Sequence, residues 1–192
     1  MEWPDNGDEF PPPGRRRLGG LAEARQLLVE ADMFSESSTR ATLWDGFERY
    51  LARFAELESR YEALLDGRRI VEFVWLGGSF VSTRLHPRNI DLTVAINSDA
   101  PSKLFEKPGS AWMSRAFDRL KCQNEFGVAP IQLNYRRVKS VFQSWELPSE
   151  DVAYLRERGA WDDWWQRCRL DGETGPSTES AEAKRGYLEV TL

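Results

Sequence analysis

The residues best placed for chemistry are Gly77, Gly78 and Ser79, which close an apolar run, and Asn89-Ile90-Asp91, which open the next one. A glycine–serine turn leaves its backbone amides uncovered and adds a hydroxyl, so a phosphate can approach it more closely than larger side chains would allow. Arg84 and Arg88 lie in the connection between the two runs, where guanidinium groups would neutralise phosphate charge. Alternate side chains of a strand share a face, so Asn89 and Asp91 project together while Ile90 and Leu92 turn into the core. One carboxylate and one neutral amide therefore stand beside a candidate anion cradle. Asp91 has two readings at this point: a remnant ligand for a metal or nucleotide, or a strand-edge carboxylate paired with Arg84 or Arg88.

Such a turn needs a strand on either side, and residues 70–76 and 90–96 have the apolar composition for two. Two helices precede them. Leu21, Ala24, Leu27, Leu28 and Ala31 share one face over residues 20–32. Leu43, Phe47, Tyr50, Leu51, Phe54, Leu57, Tyr61 and Leu64 repeat at helical spacing up to about residue 65, with Ser38 or Thr39 as cap and Asp66-Gly67 as stop. Residues 110–122 predict a further helix carrying Cys122 as a small core residue. Residues 128–135 alternate and predict a third strand. Ser149-Glu150-Asp151 starts a helix reaching about residue 169, whose Tyr154, Leu155, Trp161, Trp164 and Trp165 are expected to pack on the sheet.

The ends of the chain read differently. Residues 1–18 hold Pro4, Pro11, Pro12, Pro13 and the triplet Arg15-Arg16-Arg17, and predict an extended arm with a solvated basic cluster. Residues 19–192 form one domain, with a mobile Gly/Ser/Thr/Glu-rich loop over about 171–184 and a closing strand expected at a sheet edge. With 192 residues and 41% apolar content, the chain is of ordinary size and composition for a single core. No run is long enough to span a membrane and no signal peptide is visible, so a cytoplasmic setting is expected. Two cysteines suggest neither a disulfide framework nor a zinc site. The single histidine, His86, beside Pro87 in a turn, leaves no serine-hydrolase triad to assemble. A net charge of -5 argues against a chain built chiefly to bind nucleic-acid backbones.

The strand, Gly-Gly-Ser turn and x-Ile-Asp-Leu step together resemble the signature of the polymerase-beta-like nucleotidyltransferase superfamily. The resemblance implies an α+β fold: a small mixed sheet of nucleotidyltransferase type flanked by helices, with an N-terminal helical pair. It also implies carboxylates at positions 89 and 91 and a third on a later strand, holding two magnesium ions for in-line transfer from a nucleoside triphosphate. Here the first position is Asn89, and the third strand offers Ala129, Gln132 or Asn134 according to register. None of these can carry negative charge. Glu125 and Asp99 are the acids a rescue would need.

A narrower resemblance rests on Asn6-Gly7, the Phe-Pro-Pro-Pro-Gly run, Gly78-Ser79-Phe80-Val81-Ser82, Pro87-x-Asn-Ile-Asp and the closing Arg-Gly-Tyr-Leu-Glu-Val. Together these look like an uncharacterised bacterial and phage-associated branch described as nucleotidyltransferase-like. Similar stand-alone domains serve in toxin–antitoxin pairs. The expectation is a degenerate metal site in a protein acting by binding a protein partner, a nucleotide or RNA. An active magnesium-dependent transferase is the first alternative, and a structural or assembly component is the second.

Overall fold

A computed structural model describes residues 9–168 and 177–192. The chain is built from strands and helices in the order β1 (Gly14–Leu18), α1 (Leu21–Leu28), α2 (Arg40–Arg60), β2 (Val71–Gly77), β3 (Ile90–Asn97), α3 (Ala100–Lys103), α4 (Ala111–Arg115), α5 (Arg119–Phe126), β4 (Val128–Tyr135), α6 (Ser149–Gln166) and β5 (Gly186–Thr191). The strands form one mixed sheet in the order β1-β5-β2-β3-β4. Strand β5 runs parallel to β1 and antiparallel to β2, and β3 runs antiparallel to β2 and parallel to β4.

Period-two alternation divides the sheet into two faces. Val74 and Leu76, Leu92, Val94 and Ile96, and Leu188 and Val190 enter the larger core, which the buried stripe of α2 closes with Trp44, Phe47, Tyr50 and Phe54. The opposite face gathers Trp75, Ala95, Leu133 and Tyr187 under Tyr154 and Trp165 of α6. The aromatic residues of α6 therefore pack on the sheet as the sequence predicts. Among the described residues no helix is long and apolar enough to cross a membrane.

Three expectations change. Residues 14–18 belong to a strand, not an arm: Leu18 is buried, and Arg15 and Arg17 pair with Glu189 of β5 at 3.3 and 3.6 Å. Proline and arginine composition hides a strand that exists because β5 supplies its ladder and its counter-charge. With β1 on its outer side, β5 is interior and not an edge. The helix expected over 110–122 breaks at Ala116–Asp118, because the Asp118 carboxylate leaves the helix and caps α5 by accepting from the Lys121 amide. Residues 1–8 of the expected arm and 169–176 of the expected helix end and loop lie outside the described residues. Over 177–184 the chain makes a turn held by Ser177 and Ser180, with Ala183 bridged to Arg167.

One buried cation ties the helical layer to the sheet. Arg40, at the first turn of α2, is fully buried, and its two terminal nitrogens donate to the carbonyls of Leu28, Phe80, Ser82 and Arg84 at 2.7 to 2.8 Å. Its guanidinium lies over the Phe34 ring at 3.6 Å. Burial lowers its pKa to about 10, so it remains charged at neutral pH. Replacing it leaves four carbonyls without their donor. Arg40→Met is expected to lose at least ~3 kcal/mol in urea denaturation, with Arg40→Lys recovering only part because an ammonium lacks the planar fork.

Candidate functional site

The topology brings several chain segments to one end of the sheet. Gly77, the last residue of β2, pairs with Asp91 near the start of β3. Because β5 is antiparallel to β2 and parallel to β1, Arg185 before β5 and Phe10 before β1 arrive at the same end. Helix α5 leads into β4 there, and the last turn of α6 crosses above. The result is a cleft of about 670 Å³ over the Gly-Ser turn. Gly78, Ser79 and Asp91 form its floor, Trp161, Trp164 and Trp165 one wall, and Arg119, Arg167 and Arg185 its charged rim.

The two glycines are fixed by what covers them. A Cβ on Gly77 would stand 2.2 Å from a ring carbon of Trp165, and one on Gly78, at φ +65°, would stand 2.6 Å from the Asp91 carboxylate. Trp165 is held in that position by an indole hydrogen bond to Thr93 Oγ1 at 2.9 Å. The turn is thus clamped by α6 and Asp91 from one side, and by Arg40 through Phe80 and Ser82 from the other.

Asp91 is mostly buried and accepts from Arg119 Nη2 at 3.0 Å. Burial raises its pKa, and the charges of Arg119 and Arg185 oppose that rise without cancelling it. Asn89 approaches the same carboxylate without good hydrogen-bond geometry, and its Nδ2 is buried with no partner among the described residues. Arg167 pairs with Asp163 one turn back. Arg185 donates to the Trp165 carbonyl at 3.1 Å and lies over the Phe10 ring at 5.3 Å.

The cleft gathers Gly78, Ser79 and Asp91 as the spacing predicts, with Gly77 beneath Trp165. Arg84 and Arg88 do not line it. Arg84 faces Glu9 at 3.8 Å and lends its carbonyl to Arg40. The charged rim instead comes from residues the sequence reading missed. Their signal was positional: Arg185 directly precedes a strand, and Arg119 directly follows a capping aspartate.

Two magnesium ions need several carboxylate oxygens, and the register decides whether they exist. Ala129 pairs with Asp91 and Ile131 with Thr93, while Gln132 and Asn134 pair with Val94 and Ile96 and bond each other at 2.7 Å. The positions of β4 beside Asp91, where the resemblance would place a third acid, are therefore apolar. Glu125 lies in a different pocket, beside Trp112, and Asp99 pairs with Arg68 at 3.3 Å. Among the described residues no group of three acidic, histidine or cysteine side chains could hold a metal. One carboxylate already engaged by a guanidinium does not fit a two-metal centre.

Two outcomes test this geometry. Gly77→Ala is expected to displace Trp165 at a cost of about 1–3 kcal/mol, with a change in tryptophan fluorescence. A carboxylate whose folded pKa is raised stabilises the fold in its protonated form, a contribution present at low pH and lost as pH rises through the folded value. Asp91→Asn is therefore expected to melt higher than wild type at pH 7, with the gap closing under acid. A lower melting temperature at pH 7 would mean that the pair with Arg119 outweighs burial.

No curated protein and no solved structure matches the chain. Residues 12–191, from the segment entering β1 to the end of β5, match the protein family described as a family of unknown function, DUF6932, and the chain belongs to that family.

Proposed function

We propose that this cleft binds a nucleotide, free or at an RNA end, and does not transfer it. The observation that carries the reading is charge placement: three arginines and one carboxylate converge on the cleft of a chain whose net charge is -5. A cationic cleft in an acidic protein concentrates anions. Tryptophan faces beside guanidinium groups suit a ligand that is aromatic at one end and phosphorylated at the other, because bases stack and phosphates take charge-assisted hydrogen bonds. Ser79 adds a hydroxyl at the floor. The resemblance to nucleotidyltransferases supports the ligand class, and the neutral residues at positions 89, 129 and 131 support binding without transfer.

A protein partner has separate support from the connection between β4 and α6. There Val141, Phe142 and Trp145 are exposed, and Arg137 and Lys139 flank them. Exposed aromatic residues of this kind are typical of docking surfaces. A role in a toxin–antitoxin or phage-related system would use both features, one for the ligand and one for the partner.

Calorimetric titration with each nucleoside triphosphate tests the binding reading. At least one should bind, with affinity falling as salt rises, and Trp164→Ala should weaken it about tenfold if a base stacks there. Incubation with magnesium should yield no transfer, and Asn89→Asp should not create it, because Ala129 still supplies no acid. Absence of binding by every triphosphate would overturn the proposal.

A further inference from the structure

Asp91 sits where the resemblance would place a metal ligand, yet a side chain already occupies its coordinating oxygen. Arg119 Nη2 donates to Asp91 Oδ1 at 3.0 Å. The other carboxylate oxygen, Oδ2, lies over Gly78 at the floor of the turn. Arg119 is about half exposed and lines the cleft, while its main chain is set by the Asp118 cap at the start of α5. A guanidinium carries five N–H donors in a plane, and this bond to Asp91 uses one of them.

We propose that Arg119 takes the place of the divalent cation: it bridges Asp91 to the ligand's phosphate, so the cleft binds phosphate without metal. The inference rests on the phosphate-binding reading above. Its chemistry follows from what each cation can do. A magnesium ion between carboxylates and phosphates neutralises charge and also aligns attacking and leaving oxygens. A guanidinium neutralises and orients by hydrogen bonds, but it holds no water or hydroxyl for attack. One carboxylate suffices to orient one guanidinium. Further acids at positions 89 and 129 would oppose the phosphate, and Asn89 and Ala129 are neutral. Arg185 and Arg167, also on the rim, add positive charge around the same position.

Titrations with ATP and with inorganic tripolyphosphate, each in EDTA and in magnesium, test the assignment. Wild type should bind equally well, within about twofold, in both conditions. Arg119→Ala should weaken both probes in EDTA by about tenfold or more, the scale of a charge-assisted hydrogen bond, while a cooperative unfolding transition shows that the variant still folds. Arg119→Lys should recover part of the loss. Asp91→Asn should weaken metal-free binding less than Arg119→Ala does, because the phosphate donor remains and only its anchoring carboxylate is lost. Binding by wild type that disappears in EDTA, or binding unaffected by Arg119→Ala, would overturn the proposal. Tripolyphosphate bound through Arg119 with ATP no tighter would remove the nucleotide reading and leave this one standing. ATP bound only with magnesium would do the reverse, and failure of both probes would remove both.

Discussion

The structure depends on a charge buried without a carboxylate partner among the described residues. Arg40 is held by the carbonyls of α1's last residue and of the chain just beyond the Gly-Ser turn. A buried guanidinium costs several kcal/mol unless its donors are satisfied, and four short hydrogen bonds from its terminal nitrogens to backbone dipoles, with aromatic rings on its faces, offset that cost here, its Nε alone being without a partner among the described residues. The bonds also work in the other direction. The chain leaves the sheet through a 3₁₀ turn, Gly78–Val81, and the irregular residues after it, whose carbonyls need donors, and Arg40 gives three of them one rigid source. The floor of the cleft is therefore as fixed as the helix that carries Arg40.

From that fixed floor the site follows by topology. An antiparallel pair places the end of one strand beside the start of the next, so the end of β2 meets the starts of β3 and β5, and parallel pairing adds the starts of β1 and β4. Phe10, Asp91 and Arg185, far apart in sequence, meet because each precedes or opens a strand, and Arg119 joins them from the first turn of α5, the helix that leads into β4. Trp165 closes the arrangement by covering Gly77, where a larger residue would push the indole off Thr93.

This arrangement explains which features were legible in the sequence. The two helices of the N-terminal pair, the strands around the Gly-Ser turn and the aromatic face of α6 all came from local pattern and lie where it put them, although α1 stops at Leu28 and α2 at Arg60, short of the expected ends near residues 32 and 65. Strand β1 did not, because three arginines in a row carry no alternation of their own. Its alternation resides in Glu189 of another strand. The floor of the site was legible for the same reason that the turn was, since Gly78, Ser79 and Asp91 are close in sequence. The rim was not, because Arg119, Arg167 and Arg185 reach it only after the sheet has formed, whereas Arg84 and Arg88, nearer in sequence, do not line it. Spacing finds partners within one supersecondary unit and is blind to those brought by strand order.

The burial of Asp91 gives the remaining step. A carboxylate whose pKa is raised by burial is held charged at some expense to the fold, and further acids beside it would add to that expense. Acids at positions 89 and 129 would place three negative charges within one partly desolvated pocket, and such a cluster persists when cations are bound or when some of its members are protonated. With Asn89 and Ala129 in those places, the rim's guanidiniums exceed the floor's carboxylate, and the balance of the cleft reverses. A site with three acids attracts cations first and phosphates through them, whereas this one presents its own cations, the charge that direct phosphate binding, as proposed, would require. On that reading the same turn and strands would serve either purpose, and the choice between them would lie in two side chains.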